Sequence, residues 1–234
     1  MTVPGLLKSL VDLPSEAIGL TVATFVMGAY WYIGSPGPAL SPGYVRGWEP
    51  AFHAVLWAVA MFGVIPLLCS VALKQSLRER GLGLGDLGFN LKISALAMVL
   101  VAVPMAFSAN DPLVQSAYPW PGSWAGASTA NLVQWLGTYF LYYIAFEFFF
   151  RGFLIQAVAP RWGIPTAIWV SAICCTLIHV GKPWSETLTA FPVSLLFGVM
   201  AVRGRSILFP AIVHWWVGAI VDTSALHWQG QLQL

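Results

Sequence analysis

The sequence predicts an all-α protein, a polytopic membrane bundle of about seven transmembrane helices. Two observations carry this prediction. First, 58% of the 234 residues are hydrophobic and only 9% are charged, whereas soluble domains carry roughly 25% charged residues. Second, the apolar residues fall in long runs between loops, and the mean hydropathy is +0.76. Helices are expected because an α-helix satisfies its own backbone polar groups within lipid.

A spanning helix needs about 20 mostly apolar residues. The segments that approach this length are 17–34, 52–73, 92–108, 129–157, 164–180, 187–202 and 206–223. We expect one membrane domain, with N-terminal helices and a cytoplasmic linker over 1–91 and a helical core over 92–234.

The loops between these segments indicate the orientation. Lys and Arg in short loops mark the cytoplasmic side. With seven alternating helices, one side receives Lys8, the 74–91 loop, Arg161, Arg203 and Arg205. The N-terminus is therefore expected inside, and Arg46 and Lys182 are the exceptions. The 35–51 loop is rich in Pro and Gly and predicts turns.

Composition also limits the partners and the location. The first apolar span lacks a cleavage site of the usual kind, so we expect it to be retained. A net charge of +2 gives no reason to expect nucleic acid. All three cysteines lie in apolar segments without CxxC spacing, which predicts neither a disulfide framework nor a thiolate metal site. We expect a multi-pass membrane protein; the sequence does not indicate its oligomeric state.

Few ionisable side chains fall well inside the apolar segments. Glu147 and Arg151 are four residues apart, which places them on one face of a helix. His179 and His214 lie in two other segments. At about 1.5 Å per residue, Glu147 and the two imidazoles reach similar depths. Charged groups at membrane depth are costly and are functional candidates by default, so these residues predict a polar pocket within the bundle.

Several chemistries suit this set of side chains. One is hydrolysis, with Glu147 acting on a water and the imidazoles orienting the water and stabilising an oxyanion. Another is metal binding by His, His and Glu, which has no HExxH motif behind it. The third is a proton relay in a transporter.

Structural roles are also open for the same residues. Glu147 and Arg151 would then form an ion pair, and the histidines would bond to neighbouring helices. The phenylalanines around Glu147 would face lipid or pack in the core. We expect Asp222 at the outer interface and His53 and His227 at the surface.

The pattern resembles the CPBP family, the type II CAAX prenyl endopeptidases and bacteriocin-processing or immunity proteins. Glu147-Phe-Phe-Phe-Arg151-Gly152 is similar to its first motif, Glu-Glu-x-x-x-Arg. His179 matches the second-motif His, and His214 matches the His of the third motif, His-x-x-x-Asn. The resemblance covers about 129–223. A Gly-rich stretch at 81–89 is also similar to the linker that often precedes the catalytic half.

Two positions depart from the family pattern. Phe146 stands where the family has its first Glu, and Gly218 stands where it has Asn. The stretch His179-Val-Gly-Lys182-Pro-Trp-Ser-Glu186 resembles a bacterial branch of the family. Glu186 is therefore a candidate for the second carboxylate, turned toward His179. The alternative is a solvated Glu186 that pairs with Lys182.

The resemblance implies an intramembrane endopeptidase that hydrolyses a peptide bond of membrane-anchored peptides with glutamate-activated water. The implied catalytic residues are Glu147, Arg151, His179, His214 and Glu186. No organic cofactor is implied, and a divalent metal is neither required nor excluded. The resemblance also implies the cytoplasmic membrane of a prokaryote as the location. The expected partners are a membrane-anchored peptide or protein substrate and the lipid bilayer. The alternative is an inactive family member that acts as an immunity or scaffold protein.

Overall fold

The structure, a computed structural model, describes residues 14–34 and 45–233. These residues form eight helices and no strand. The helices are α1 (Ser15–Ala29, extended by a π-helical turn at Tyr30–Gly34), α2 (Trp48–Ala72), α3 (Leu87–Ser108), α4 (Pro112–Ala117), α5 (Ser123–Gly126), α6 (Thr129–Leu177), α7 (Trp184–Gly204) and α8 (Leu208–Trp228). The prediction of an all-α membrane bundle is confirmed. The predictions for the N-terminal segment before residue 14, and for much of the 35–51 loop, concern residues outside the described ones.

The helix α6 contains a reversal of chain direction. Gly163 has φ 79° and ψ 161°, a backbone conformation that glycine adopts without steric cost. The Ser171 hydroxyl donates to the Phe150 carbonyl at 2.8 Å, so the part after Gly163 runs back along the part before it. We call these parts the first limb (129–162) and the return limb (164–177).

The two limbs correspond to two of the predicted segments, 129–157 and 164–180, and α1 corresponds to the predicted segment 17–34. By length and composition, α2, α3, α6, α7 and α8 are long and apolar enough to cross a membrane. The predicted boundaries are displaced by a few residues. For example, α3 begins at Leu87 instead of 92 because the Asp86 carboxylate caps it, accepting from the Phe89 amide at 3.1 Å.

The two ends of the bundle differ in character. At one, the 74–86 loop packs on the first limb and on the α7–α8 turn, with the Ile207 amide donating to the Gly81 carbonyl at 3.0 Å. We call it the basic end. At the other, which we call the aromatic end, α4, α5 and the 118–122 turn cover the helices. There Trp48 stacks on Trp124 with ring centroids 4.7 Å apart.

A largely buried stripe of residues, most of them polar or aromatic, joins α6 to α8. The residues of the stripe are spaced four apart on α6 and four apart on α8, so each set lies on one face of its helix. The members are Trp135, Tyr139, Tyr143 and Glu147 on α6, and His214, Gly218 and Asp222 on α8. This stripe brings the α6 and α8 site residues to one place.

Asp222 corrects one expectation. Instead of lying at the outer interface it is fully buried, and its Oδ2 accepts from the Trp135 indole N–H at 2.6 Å. Its position near a helix end suggested exposure. The C-terminal residues cover that end, where the Gln233 amide donates to the Gly126 carbonyl at 2.8 Å. His53 and His227 are exposed, as expected.

Candidate active site

The first part of the site is built around Glu147, which has no exposed surface. Its Oε1 lies 2.6 Å from Nδ1 of His214, and its Oε2 lies 3.0 Å from Nε of Arg151. The four-residue spacing within α6 places the guanidinium beside the carboxylate. The packing of α8 on α6 supplies the imidazole. We call these three residues the Glu147 group.

Arg151 is held as tightly as its partner. The whole residue is 3% exposed. Its guanidinium carbon lies 5.7 Å from the ring centroids of both Phe150 and Phe197. Within the described part of the chain, its Nε and Nη1 have no aligned hydrogen-bond acceptor. A buried guanidinium in this state depends on the charge of Glu147, because removal of one partner leaves the other charge buried and unpaired.

The second part of the site is built around Glu186, in the first turn of α7. Its carboxylate accepts from the Lys182 ammonium at 2.8 Å and from the Tyr118 hydroxyl at 2.7 and 2.9 Å. Its Oε1 also lies 3.8 Å from Nε2 of His179. We call these four residues the Glu186 group. Glu186 thus pairs with Lys182 and also lies beside His179, and its role as the second carboxylate stays a prediction.

The tautomer of His179 follows from its neighbours. Nδ1 lies 2.6 Å from the Cys175 carbonyl oxygen, which only accepts hydrogen bonds, so Nδ1 carries the proton. The Thr187 hydroxyl donates to the His179 carbonyl at 2.7 Å and fixes the turn before α7. In a neutral ring, Nε2 is then a proton acceptor aimed toward Glu186. The 3.8 Å between these atoms is too long for a direct hydrogen bond.

Tyr118 comes from the loop before α5, outside the spanning helices. Burial, and secondarily the negative charge of Glu186, raise the pKa of this phenol well above its ordinary value of 10. The hydroxyl thus keeps its proton and remains a donor to the carboxylate. Lys182 also donates to Tyr118, at 3.1 Å.

Phe146 separates the two groups. Its ring packs edge-on against both imidazoles, with centroids 5.9 Å from His179 and 5.4 Å from His214. The ring is 1% exposed and belongs to the core, as do Phe148, Phe149 and Phe150. A phenyl ring at this position spaces the two imidazoles and supplies no acid or base.

Gly218 also has a packing explanation. A Cβ built on Gly218 would overlap the hydroxyl oxygen of Tyr143. The Tyr143 ring is buried, and its centroid lies 4.5 Å from that of His214. The phenol therefore occupies the space that a side chain at 218 would need, and its ring packs against the His214 imidazole.

The structure thus places all five residues singled out from the sequence in two adjacent groups, Glu147 with Arg151 and His214, and His179 with Glu186. Their catalytic roles stay predictions. Sequence reasoning missed Tyr118 and Tyr143, since a tyrosine in a loop or in an aromatic run carries no distinctive spacing. Among the described residues, no three His, Cys, Asp or Glu side chains converge in a geometry that would hold a metal ion.

Three comparisons bear on the family. No curated protein and no solved structure matched the chain. A family model did match, the Type II CAAX prenyl endopeptidase Rce1-like family, over residues 128–220. Both histidines and all three acidic and basic site residues lie within that range. The match covers the residues that carry the motifs, so the predicted resemblance to this family of membrane proteases is confirmed.

Proposed function

We propose that the protein is an intramembrane endopeptidase that hydrolyses a peptide bond of a membrane-anchored substrate with activated water, in a prokaryotic cytoplasmic membrane. One observation carries the proposal: each imidazole lies beside a carboxylate, with His214 at 2.6 Å from Glu147 and His179 at 3.8 Å from Glu186. Burying two such pairs within a bilayer costs free energy, and ionisable residues at this depth are therefore functional candidates.

The Glu186 group supplies the base. A water between Glu186 Oε1 and His179 Nε2 donates one proton toward each of these two acceptors. Breaking one O–H bond sends the proton to this pair while the water oxygen attacks the scissile carbonyl carbon. Lys182 and Tyr118 position the carboxylate and balance its charge, which makes them positioning residues.

The Glu147 group supplies the electrophile. With Glu147 ionised, His214 holding both ring protons donates Nδ1–H to the carboxylate and Nε2–H to the scissile carbonyl oxygen. The Tyr143 hydroxyl is the second donor to that oxygen, which becomes an oxyanion when water adds. When the C–N bond breaks, the oxyanion becomes a carbonyl again and the leaving nitrogen takes the proton held by the Glu186 pair.

In this proposal Glu147 orients His214 and is not the base, because a carboxylate with no exposed surface has no room for a water. The chemistry uses the side chains of the chain and draws on no cofactor. We therefore expect chelators to leave the rate unchanged, and a rate that falls with chelator and returns with a divalent ion would contradict this part of the proposal.

The experiment is a cleavage assay with the purified full chain in lipid nanodiscs. The probes are a fluorogenic peptide with a prenylated C-terminal CAAX sequence and a fluorogenic peptide anchored by an apolar helix. We expect the wild type to cleave at least one of them and His179→Ala and His214→Ala to lose that activity while retaining thermal stability. Equal cleavage by the wild type and both variants would remove His179 and His214 from the mechanism. No cleavage of either probe by the wild type would leave the non-catalytic binding protein as the better description.

A further inference from the structure

Access to the site differs from residue to residue. In the Glu186 group, the exposed fraction of the side chain is 29% for Glu186, 15% for Lys182 and 7% for His179. In the Glu147 group, it is 20% for His214, 1% for Arg151 and 0% for Glu147. The site is therefore open beside Glu186 and closed beside Arg151. Glu186 is bonded to Tyr118, a residue of the aromatic end.

The basic end closes the site beneath Arg151. Arg80, 3% exposed, donates to the Phe153 carbonyl at 3.1 Å, and a Cβ on Gly152 would collide with the Arg80 carbonyl oxygen. Beside this loop, α7, α8 and α3 close on one another through a buried apolar cluster of Phe197, Met200 and Val213, covered by Ile93, Ala97 and Met98. A peptide cannot reach Glu147 from this end without displacing the loop.

The charges of the two ends differ as well. Among the described residues, the basic end carries Lys74, Arg78, Arg80, Lys92, Arg161, Arg203 and Arg205, and the aromatic end carries Arg46 and Lys182. An excess of Lys and Arg in short loops marks the cytoplasmic side. The closed end of the site thus faces the cytoplasm and the open end faces away from it.

The surroundings of the opening are apolar. Val180, Trp184 and Leu188 flank Lys182 and Glu186 along the chain and are 47%, 64% and 65% exposed. In a membrane-spanning chain, such side chains meet lipid or an apolar segment of another protein. The opening therefore suits an apolar peptide that is already in the bilayer.

We propose that the site receives its substrate from the extracytoplasmic side, as an apolar membrane-anchored segment whose scissile bond lies in the extracytoplasmic half of the bilayer. This inference rests on the proposed function and names the substrate class of the same site. The class comprises the anchors and tails of proteins that have crossed the membrane, in contrast to peptides modified and presented in the cytoplasm.

The test is cysteine accessibility in intact cells, with a matched set of serine substitutions in the full chain. The parent carries alanine in place of Cys69, Cys174 and Cys175, all of which are free. The probes are Ser76→Cys at the basic end, Ser116→Cys at the aromatic end and Ser185→Cys beside the opening. The first two serines are exposed and the third is partly exposed. The reagent is a membrane-impermeant maleimide, applied before or after permeabilisation.

We expect Ser116→Cys and Ser185→Cys to be labelled in intact cells and Ser76→Cys only after permeabilisation. Labelling of Ser76→Cys in intact cells, or labelling of Ser185→Cys only after permeabilisation, would overturn the inference, as would a Ser185→Cys that resists the reagent in both conditions. Because labelling needs no catalysis, it is independent of the proposed function. A reversed labelling pattern, together with cleavage by the wild type, defeats this inference alone. The expected labelling pattern, together with no cleavage by the wild type, defeats the proposed function.

Discussion

The Glu147 group and the Glu186 group contain the same two side-chain types, an imidazole and a carboxylate, in opposite surroundings. Glu147 is sealed between a guanidinium and an imidazole, whereas Glu186 is partly exposed between an ammonium and a phenol. A sealed carboxylate orients its neighbour, and an accessible one is able to take a proton from water. In the proposed mechanism, burial and not residue type therefore separates the carboxylate that orients from the carboxylate that acts as a base.

The largest expected effect is on kcat, and it tests whether Glu186 is the base. Glu186→Gln keeps the shape and the hydrogen bond from Tyr118 but removes the proton acceptor. We expect kcat to fall about 10³-fold, within the range for loss of a general base, with thermal stability little changed because the side chain is partly exposed. The matched control is Glu49→Gln, an exposed glutamate at the same end, which should cleave at the wild-type rate. A Glu186→Gln enzyme with normal kcat would refute the assignment of the base.

The next effect is on the free energy of unfolding, and it tests the role of Glu147 as the counter-charge of Arg151. Glu147→Gln leaves the Arg151 charge buried without a counter-charge, and we expect a loss of about 3 kcal/mol in unfolding free energy. Chemical or thermal unfolding in detergent measures it. Adding Arg151→Met to Glu147→Gln removes the unpaired charge and should recover most of the stability but not the cleavage. If Glu147→Gln unfolds like the wild type, the ion pair is not what the buried guanidinium depends on.

The third prediction tests the Tyr143 hydroxyl as the second hydrogen-bond donor to the oxyanion. Tyr143→Phe removes only the hydroxyl, and we expect kcat to fall about 10²-fold with KM nearly unchanged, as for the loss of one oxyanion donor. A steady-state comparison of kcat with KM distinguishes this from weakened binding. Wild-type kcat in Tyr143→Phe would remove the residue from the mechanism.

The same pair of positions offers a structural control. Gly218→Ala places a Cβ against the Tyr143 hydroxyl and should lower the unfolding temperature. In the Tyr143→Phe background the overlap with the hydroxyl oxygen is relieved, so the same substitution should then cost less. Equal costs in both backgrounds would show that the hydroxyl does not occupy that space.

The smallest effect lies outside both groups, at the cap of α3. The Phe89 amide first, and then Arg203, hold the pKa of Asp86 below its ordinary value of 3.8. A lowered pKa contributes stability above the ordinary value, and that stability is lost as the pH falls through the folded-state pKa. We expect Asp86→Asn to weaken the acid dependence of the unfolding temperature below about pH 4 without changing cleavage near neutral pH. An unchanged acid profile would contradict the shift.

Much of the fold and part of the site could be predicted from local information. Glu147 and Arg151 stood out because their spacing puts them on one helix face, and Glu186 stood out because of the stretch that it shares with His179. The burial of Asp222 could not be predicted, because it depends on a tryptophan 87 residues away and on the C-terminal residues that cover it.

By itself, the sequence determined that the protein is a bundle of membrane helices with ionisable side chains inside it, because residue content fixes the cost of exposing apolar surface to water and charge to lipid. Only the tertiary structure decided which carboxylate meets which histidine. His214 meets Glu147 across 67 positions, and Tyr118 meets Glu186 across 68. Such pairings arise from the packing of whole helices, and no local pattern in either segment specifies them.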